Sequence, residues 1–408
     1  MTTMARSDPG APLPSAPDPW AASSLPSRRD GPPYHMTEMI EAEPALAARI
    51  LGRLADPARG AAARAAAIRE AAVNGRPILL TGCGTSEHGA LAGAEILGEA
   101  MRTAGLPAGT GAGSAPVAVQ AFEASLEESL GVRGGLVIGI SHEGGTWATN
   151  RALERARAAG ARVGLVTVSD RSPGAALADI VVTTEELDQS WCHTVGYLSP
   201  IVALAAVGDH LTGQATPPGA VQWLLAAGLA ASAVDAAERM AAILAGVDRL
   251  VVIGSGVDRV AARELVLKVE EGTYLPAAFR ELETFLHGHL AGVDAATGLV
   301  LVLADETAAR ERSSRAAAAL AAASEVGIRA AGILGATHDR FIDPALTPAG
   351  RIVSPAAPAL PPRLASILAT LVPLQLLTER LARARGVNPD PIRRDDPRYL
   401  RAAEAAES

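Results

Sequence analysis

The stretch ILLTGCGTSEHGALAGAEIL, residues 78–97, lies without a gap over LVVIGSGVDRVAARELVLKV, residues 250–269, setting Gly82 on Gly254 and Gly84 on Gly256. Each copy reads as a short apolar strand, a glycine turn and an Ala/Leu-rich helix. Later in each copy comes a second strand-like run, GLVIGISHEGGT from Gly135 and GLVLVLADETAA from Gly298. An Ala/Arg-rich helical segment follows, and then ARVGLVTVS or IRAAGILG. Strands alternating with helices fold as βαβ units, so the repeat predicts an α/β protein of two tandem domains, each a doubly wound parallel sheet flanked by helices. The composition agrees: 49% of the 408 residues are hydrophobic but only 3% aromatic, so the core is built from Ala, Val, Leu and Ile, as in helix-covered parallel sheets. The expected layout is an arm over 1–35, a first domain with a leading helix over 36–215, a second over 216–385 and a tail over 386–408.

The glycine turn of the first copy suits an anion. Gly82 and Gly84 tolerate backbone angles closed to other residues, and Thr85 and Ser86 stand at the positive end of the following helix. The same residues also suit a plain turn with Ser86 as N-cap. A dinucleotide fingerprint fails at Glu87, a Walker loop is absent, and G-x-S-x-G fails at His88, so no cofactor is expected. Where the first copy carries Thr85, Ser86, Ser141, His142 and Thr146, the second carries Val257, Asp258, Ala304 and Asp305. Carboxylates repel phosphate, so the first copy alone is expected to bind one, between the loops 82–86 and 141–146 at the strand ends.

A second group of candidates follows the second glycine turn. Glu264, Lys268 and Glu271 lie at i, i+4 and i+7, on one face of a helix, and His287-Gly288-His289 falls in a glycine-containing loop beyond Tyr274-Leu275-Pro276. Such a face is ordinarily solvated and stabilised by Glu-to-Lys pairing. Next to an anchored sugar phosphate, a carboxylate, an ammonium and an imidazole have another use: moving protons between adjacent carbons and opening a ring. His287 and His289 lack a third ligand at metal-binding spacing, so no metal is expected.

The formal net charge of −8 and the absence of a basic, aromatic-studded stretch argue against nucleic acid as a partner. Cys83 and Cys192 are too few for a disulfide framework, which suits a reducing cytoplasm. The Pro/Ser/Ala-rich arm over 1–35 is expected to be disordered. Apolar runs elsewhere are interrupted by Arg, Asp or Gly, so no membrane span is expected.

These residues carry a resemblance. The chain is similar to the SIS (sugar isomerase) family, and within it to the isomerase half of the glutamine:fructose-6-phosphate aminotransferases, from residue 36 to residue 394. GCGTS is the family's first phosphate loop unchanged; ISHEGGT stands where relatives have Ser-Gln-Ser-Gly-Glu-Thr, so Ser141, Gly144 and Thr146 match while His142, Glu143 and Gly145 depart. The resemblance implies flavodoxin-like domains and a phosphosugar held by Gly84, Thr85, Ser86, Ser141, His142, Gly144 and Thr146. It places the base on Glu271, beside Lys268 and Glu264, and the ring-opening histidine on His287, which in relatives crosses to the neighbouring subunit's site and so implies a homodimer. A glutaminase domain has no counterpart in the arm, and Ala402 stands where relatives that make glucosamine phosphate carry a tail lysine. The expectation is therefore an isomerase, deaminase or deglycase acting on a sugar or amino-sugar phosphate, without glutaminase activity. The competing expectations are a sensor that binds without turnover and, because Glu143 sits in the second phosphate loop, a protein that has lost phosphate binding.

Overall fold

The computed structural model describes residues 7–16, 27–107, 115–126 and 132–407. Its strands are β1 (Ile78–Gly82), β2 (Val117–Gln120), β3 (Leu136–Ile140), β4 (Arg162–Thr167), β5 (Ile180–Thr183), β6 (Arg249–Gly254), β7 (Ala277–Glu281), β8 (Thr297–Leu303), β9 (Arg329–Gly335) and β10 (Arg351–Ser354). They form two five-stranded sheets in the orders β2-β1-β3-β4-β5 and β7-β6-β8-β9-β10, and every neighbouring pair is parallel. The two orders are one topology used twice, as the repeat requires. In each sheet the strand order reverses beside the strand that ends in the glycine turn, so the crevices of interest open between β1 and β3 and between β6 and β8.

β1, β3 and β8 are buried along their whole length, which is why they read as continuous apolar runs. The helices Thr85–Thr103, Val195–Thr212, Asp258–Thr273 and Pro362–Ala384 contribute to one large core that joins the halves. Close approach of the first two depends on Gly93, where a Cβ would lie 2.4 Å from Leu204 Cδ1. Val195–Thr212 and Pro362–Ala384 are long and apolar enough to cross a membrane, contrary to the expectation from interrupted runs, but they are 83% and 89% buried within the protein's own packing.

The arm also departs from expectation. Its described residues are docked: Leu13 N–H donates to Glu186 Oε2 at 3.0 Å, Leu187 N–H to Pro14 O at 2.9 Å, and Arg49 Nη1 to Gly10 O at 2.9 Å. Arg29 pairs with Glu38 at 2.8 Å. Composition predicted disorder because the arm is rich in Pro, Ser and Ala without a continuous apolar stretch, yet polar anchors and the burial of Ala16 hold these pieces in place. Residues 1–6 and 17–26 lie outside the described residues. At the other end, Asp390 accepts hydrogen bonds from the N–H groups of His35 and Met36, both at 2.9 Å, and so caps the leading helix His35–Leu54.

Candidate functional site

The first glycine turn is shaped as an anion cradle. At Gly82 a Cβ would meet Ser86 O at 2.5 Å, so the turn closes only on glycine, and Gly84 has φ +56 as it enters the helix Thr85–Thr103. Among the described residues no acceptor is bonded to the amides of Gly84 and Thr85. They are left for an anion at the helix N-terminus. Across the crevice, beyond β3, Ser141 Oγ accepts from Gly144 N–H at 3.1 Å and lies 3.3 Å from Thr146 Oγ1. Gly144 has φ +71 and a Cβ there would lie 2.1 Å from Ser172 Oγ, so this loop too is fixed by a glycine. Thr146 is exposed and opens a second helix, Trp147–Ala158. Because β1 pairs with β3, the two loops flank one crevice.

Two candidates are turned away from it. His142 is buried; its Nε2 accepts the Asp188 N–H at 2.9 Å, and burial together with the neighbouring His193 brings its pKa down to about 3. It is a neutral structural acceptor instead of a cationic phosphate ligand, because burial disfavours its charged form. Thr85 offers its amide, but its hydroxyl donates to Glu264 Oε1 at 3.2 Å.

In the second half the equivalent cradle is already filled. Asp305 Oδ2 accepts the Val257 N–H at 3.1 Å and lies 3.0 Å from Arg363 Nη1 and 3.7 Å from Arg312 Nη2. A Cβ at Gly256 would lie 2.1 Å from that same oxygen. The chain supplies its own anion where the first half leaves amides open. Asp258, one residue further, accepts from Ala304 N–H and Asp305 N–H at 2.7 and 2.8 Å.

The helix Asp258–Thr273 lies against the first cradle, with Leu267 Cδ2 3.7 Å from the Cβ position of Gly84. Along it runs a chain of charge. Glu264, fully buried, holds His88 Nδ1 at 2.5 Å and lies 3.8 Å from Lys268 Nζ; Lys268 Nζ lies 2.5 Å from Glu271 Oε2. Burial alone would raise the pKa of Glu264, but Lys268, His88 and Thr85 outweigh it and hold the carboxylate below its ordinary range. For Lys268, burial is outweighed by Glu271, Cys192 and Glu264, so it stays cationic. Burial dominates at Glu271 and raises its pKa, which Lys268 offsets only in part. A quarter of the Glu271 side chain remains exposed, in an open cleft of about 500 Å³ lined by Leu267, Tyr274, Arg393 and Tyr399. The Arg393 guanidinium lies 4.0 Å from the Tyr274 ring centroid and holds the C-terminal segment over this cleft.

Glu264, Lys268 and Glu271 are thus brought together beside Thr85 and His88, whereas His287 is not. Beyond Tyr274 the chain forms the edge strand β7 and the helix Leu282–Leu286, which carry His287 away; it is 70% exposed and paired with Glu283 at 2.7 Å. Ala402 lies on the helix Pro397–Glu407. Two histidines at the cluster were not anticipated. His193, its pKa brought down to about 3 by burial and by Lys268, sits in an irregular loop that carries no pattern. His88 could have been found from the repeat, which puts apolar Val260 in its place. Among the described residues no group of three His, Cys, Asp or Glu side chains is placed to hold a metal ion.

No family model and no curated protein matches the sequence. Solved structures do. The C-terminal domain of glucosamine-fructose-6-phosphate aminotransferase from Francisella tularensis superposes with a TM-score of 0.73 at 18% identity, over 89% of this chain and 99% of that one. Tagatose-6-phosphate ketose/aldose isomerase from Escherichia coli gives 0.70 at 19% identity, over 88% and 95%. Glucosamine-6-phosphate deaminase from Thermotoga maritima gives 0.61 at 16% identity, over 87% and 96%.

Proposed function

We propose, from the tandem SIS fold that this chain has, that it is an enzyme moving a proton between C1 and C2 of a sugar or amino-sugar phosphate. The observation that carries the reading is the buried Glu264–Lys268–Glu271 chain set against a glycine cradle whose amides are unbonded among the described residues. In this reading the phosphate is held by the amides of Gly84 and Thr85 and by the hydroxyls of Ser86 and Thr146. Ser141 and Gly144 shape the loop. Glu271 takes the proton from one carbon and returns it to the next, and the buried Lys268 ammonium positions its carboxylate for the two transfers. The same transfers serve aldose–ketose isomerisation, deamination or deglycation. The fold neighbours include an isomerase and a deaminase, which supports the range. A homodimer in which His287 reaches the partner's site, acting in the cytoplasm, completes the proposal; the exposure of His287 fits that placement.

The alternative reading is a sensor that binds the sugar phosphate without turning it over. A panel of hexose, hexosamine and fructosamine 6-phosphates, read by melting and by turnover, separates the two. A ligand at about a hundredfold its Kd adds about 2.7 kcal/mol of stability, and Ser86→Ala with Thr146→Ala should abolish most of that gain. A melting shift without turnover supports the sensor; no shift with any member rejects the site.

A further inference from the structure

His88 is used by no role given so far, although it touches the charge chain directly. Its Nδ1 lies 2.5 Å from Glu264 Oε2, while Nε2 has no hydrogen-bond partner among the described residues and 11% of the side chain is open to solvent. A carboxylate on one ring nitrogen fixes both the orientation and the tautomer of an imidazole: Nδ1 carries the proton toward Glu264, and Nε2 keeps its lone pair. His88 stands three residues, or roughly 4.5 Å of helix, beyond Thr85, on the same helix whose first amides form the cradle. Its free Nε2 therefore belongs to a ring about one helical turn from the amides of the cradle. The repeat gives independent support, because the half whose cradle is plugged by Asp305 has Val260 at the equivalent place.

We infer that the Glu264–His88 dyad opens the sugar ring from within the same chain. This rests on the phosphosugar reading above and gives the ring-opening step to a residue of the chain that holds the phosphate, where the resemblance gives it to His287. Nε2 accepts the proton of the anomeric hydroxyl, and the resulting imidazolium is stabilised by Glu264. As the anomeric C=O forms, the bond from the anomeric carbon to the ring oxygen breaks; its electron pair goes to that oxygen, which takes the proton back from Nε2. The imidazole is regenerated and nothing is consumed. The open chain is then the substrate for Glu271. Thr85, on the other oxygen of Glu264, and Lys268 keep the carboxylate anionic through the cycle.

The test compares a sugar that must open with one that cannot close. Fructose 6-phosphate is largely a furanose through O5; 5-deoxyfructose 6-phosphate lacks that oxygen and stays acyclic. Deuterium incorporation at C1 is followed by NMR in D₂O for the parent, His88→Gln, His88→Asn and Glu271→Gln, with melting measured alongside. The dyad predicts that both His88 variants lose about 10²-fold or more with fructose 6-phosphate and less than about threefold with the deoxy sugar, while Glu271→Gln loses both. Equal losses on the two sugars would make His88 a mere clamp between the halves, and no loss on either would remove it from the site; both overturn the dyad and leave the phosphosugar reading standing. A parent protein that exchanges neither sugar overturns the dyad as a ring-opening device for fructose 6-phosphate, while the phosphosugar reading is decided by the panel above. If Gln does not fold, the Asn variant carries the comparison.

Discussion

Lys268 Nζ lies 2.5 Å from Glu271 Oε2 inside the protein, with the second carboxylate, Glu264, 3.8 Å away on its other side. One ammonium therefore balances two carboxylates, and its removal leaves uncompensated charge in a dry place. Lys268→Met should cost about 3 to 5 kcal/mol of stability in urea unfolding. The triple change Glu264→Gln, Lys268→Met, Glu271→Gln should recover most of the loss. A neutral Lys268→Met would mean that the cluster is open to water.

Asp305 gives a stoichiometric prediction. The parent protein should bind one inorganic phosphate per chain by titration calorimetry, because the second cradle already holds a carboxylate between Val257 N–H, Arg312 and Arg363. Asp305→Ala should cost about 1 to 3 kcal/mol without phosphate, through the partners left unsatisfied, and should bind two phosphates. A stoichiometry that stays at one would show that the second cradle collapses when emptied.

Asp258 sets a pH dependence. Burial raises its pKa to about 7, against 3.8 for the free carboxyl, with the amides of Asp305 and Ala304 offsetting only part. The folded state therefore holds the proton more tightly than the unfolded state. The stabilisation is complete below about pH 4 and is lost as the pH rises through about 7. Its full size is on the order of 2 to 4 kcal/mol. Asp258→Asn, which keeps an acceptor for the amides, should flatten this part of the stability profile in denaturant titrations from pH 4 to 8. An unchanged profile would place the titration elsewhere.

The fold was legible because the repeat aligned β1 with β6, β3 with β8 and β4 with β9, all central strands that read as continuous apolar runs. The remaining strands, β2, β5, β7 and β10, have only four or five residues, and most of them are partly exposed, so their pattern is weak. The weak pattern of β7 hides the edge strand that separates Glu271 from His287 within one chain. The face shared by Glu264, Lys268 and Glu271 followed from helical spacing. That Glu264 meets His88 and Thr85 did not, because it depends on how one half packs against the other. For His142, the motif gave the position but not the burial that makes it neutral.

Gly144→Ala tests the loop beyond β3. The added Cβ falls 2.1 Å from Ser172 Oγ at a φ of +71, so backbone strain and overlap together should cost about 2 kcal/mol or more. Phosphate should then give little melting shift, even where the variant remains folded at low temperature. Full retention of that shift would separate this loop from the anion site.

The central claim is that Glu271 is a base acting on a phosphate-anchored sugar, and Glu271→Gln tests it most directly. The substitution keeps the side chain's size and one acceptor oxygen while removing basicity. With the panel member that the parent turns over, kcat should fall about 10²- to 10⁴-fold while the ligand-induced melting shift survives. Because burial raises the pKa of Glu271, the parent's activity should decline on the acid side at a higher pH than for an exposed glutamate, since the protonated carboxyl accepts nothing. Turnover by Glu271→Gln equal to that of the parent would contradict the account.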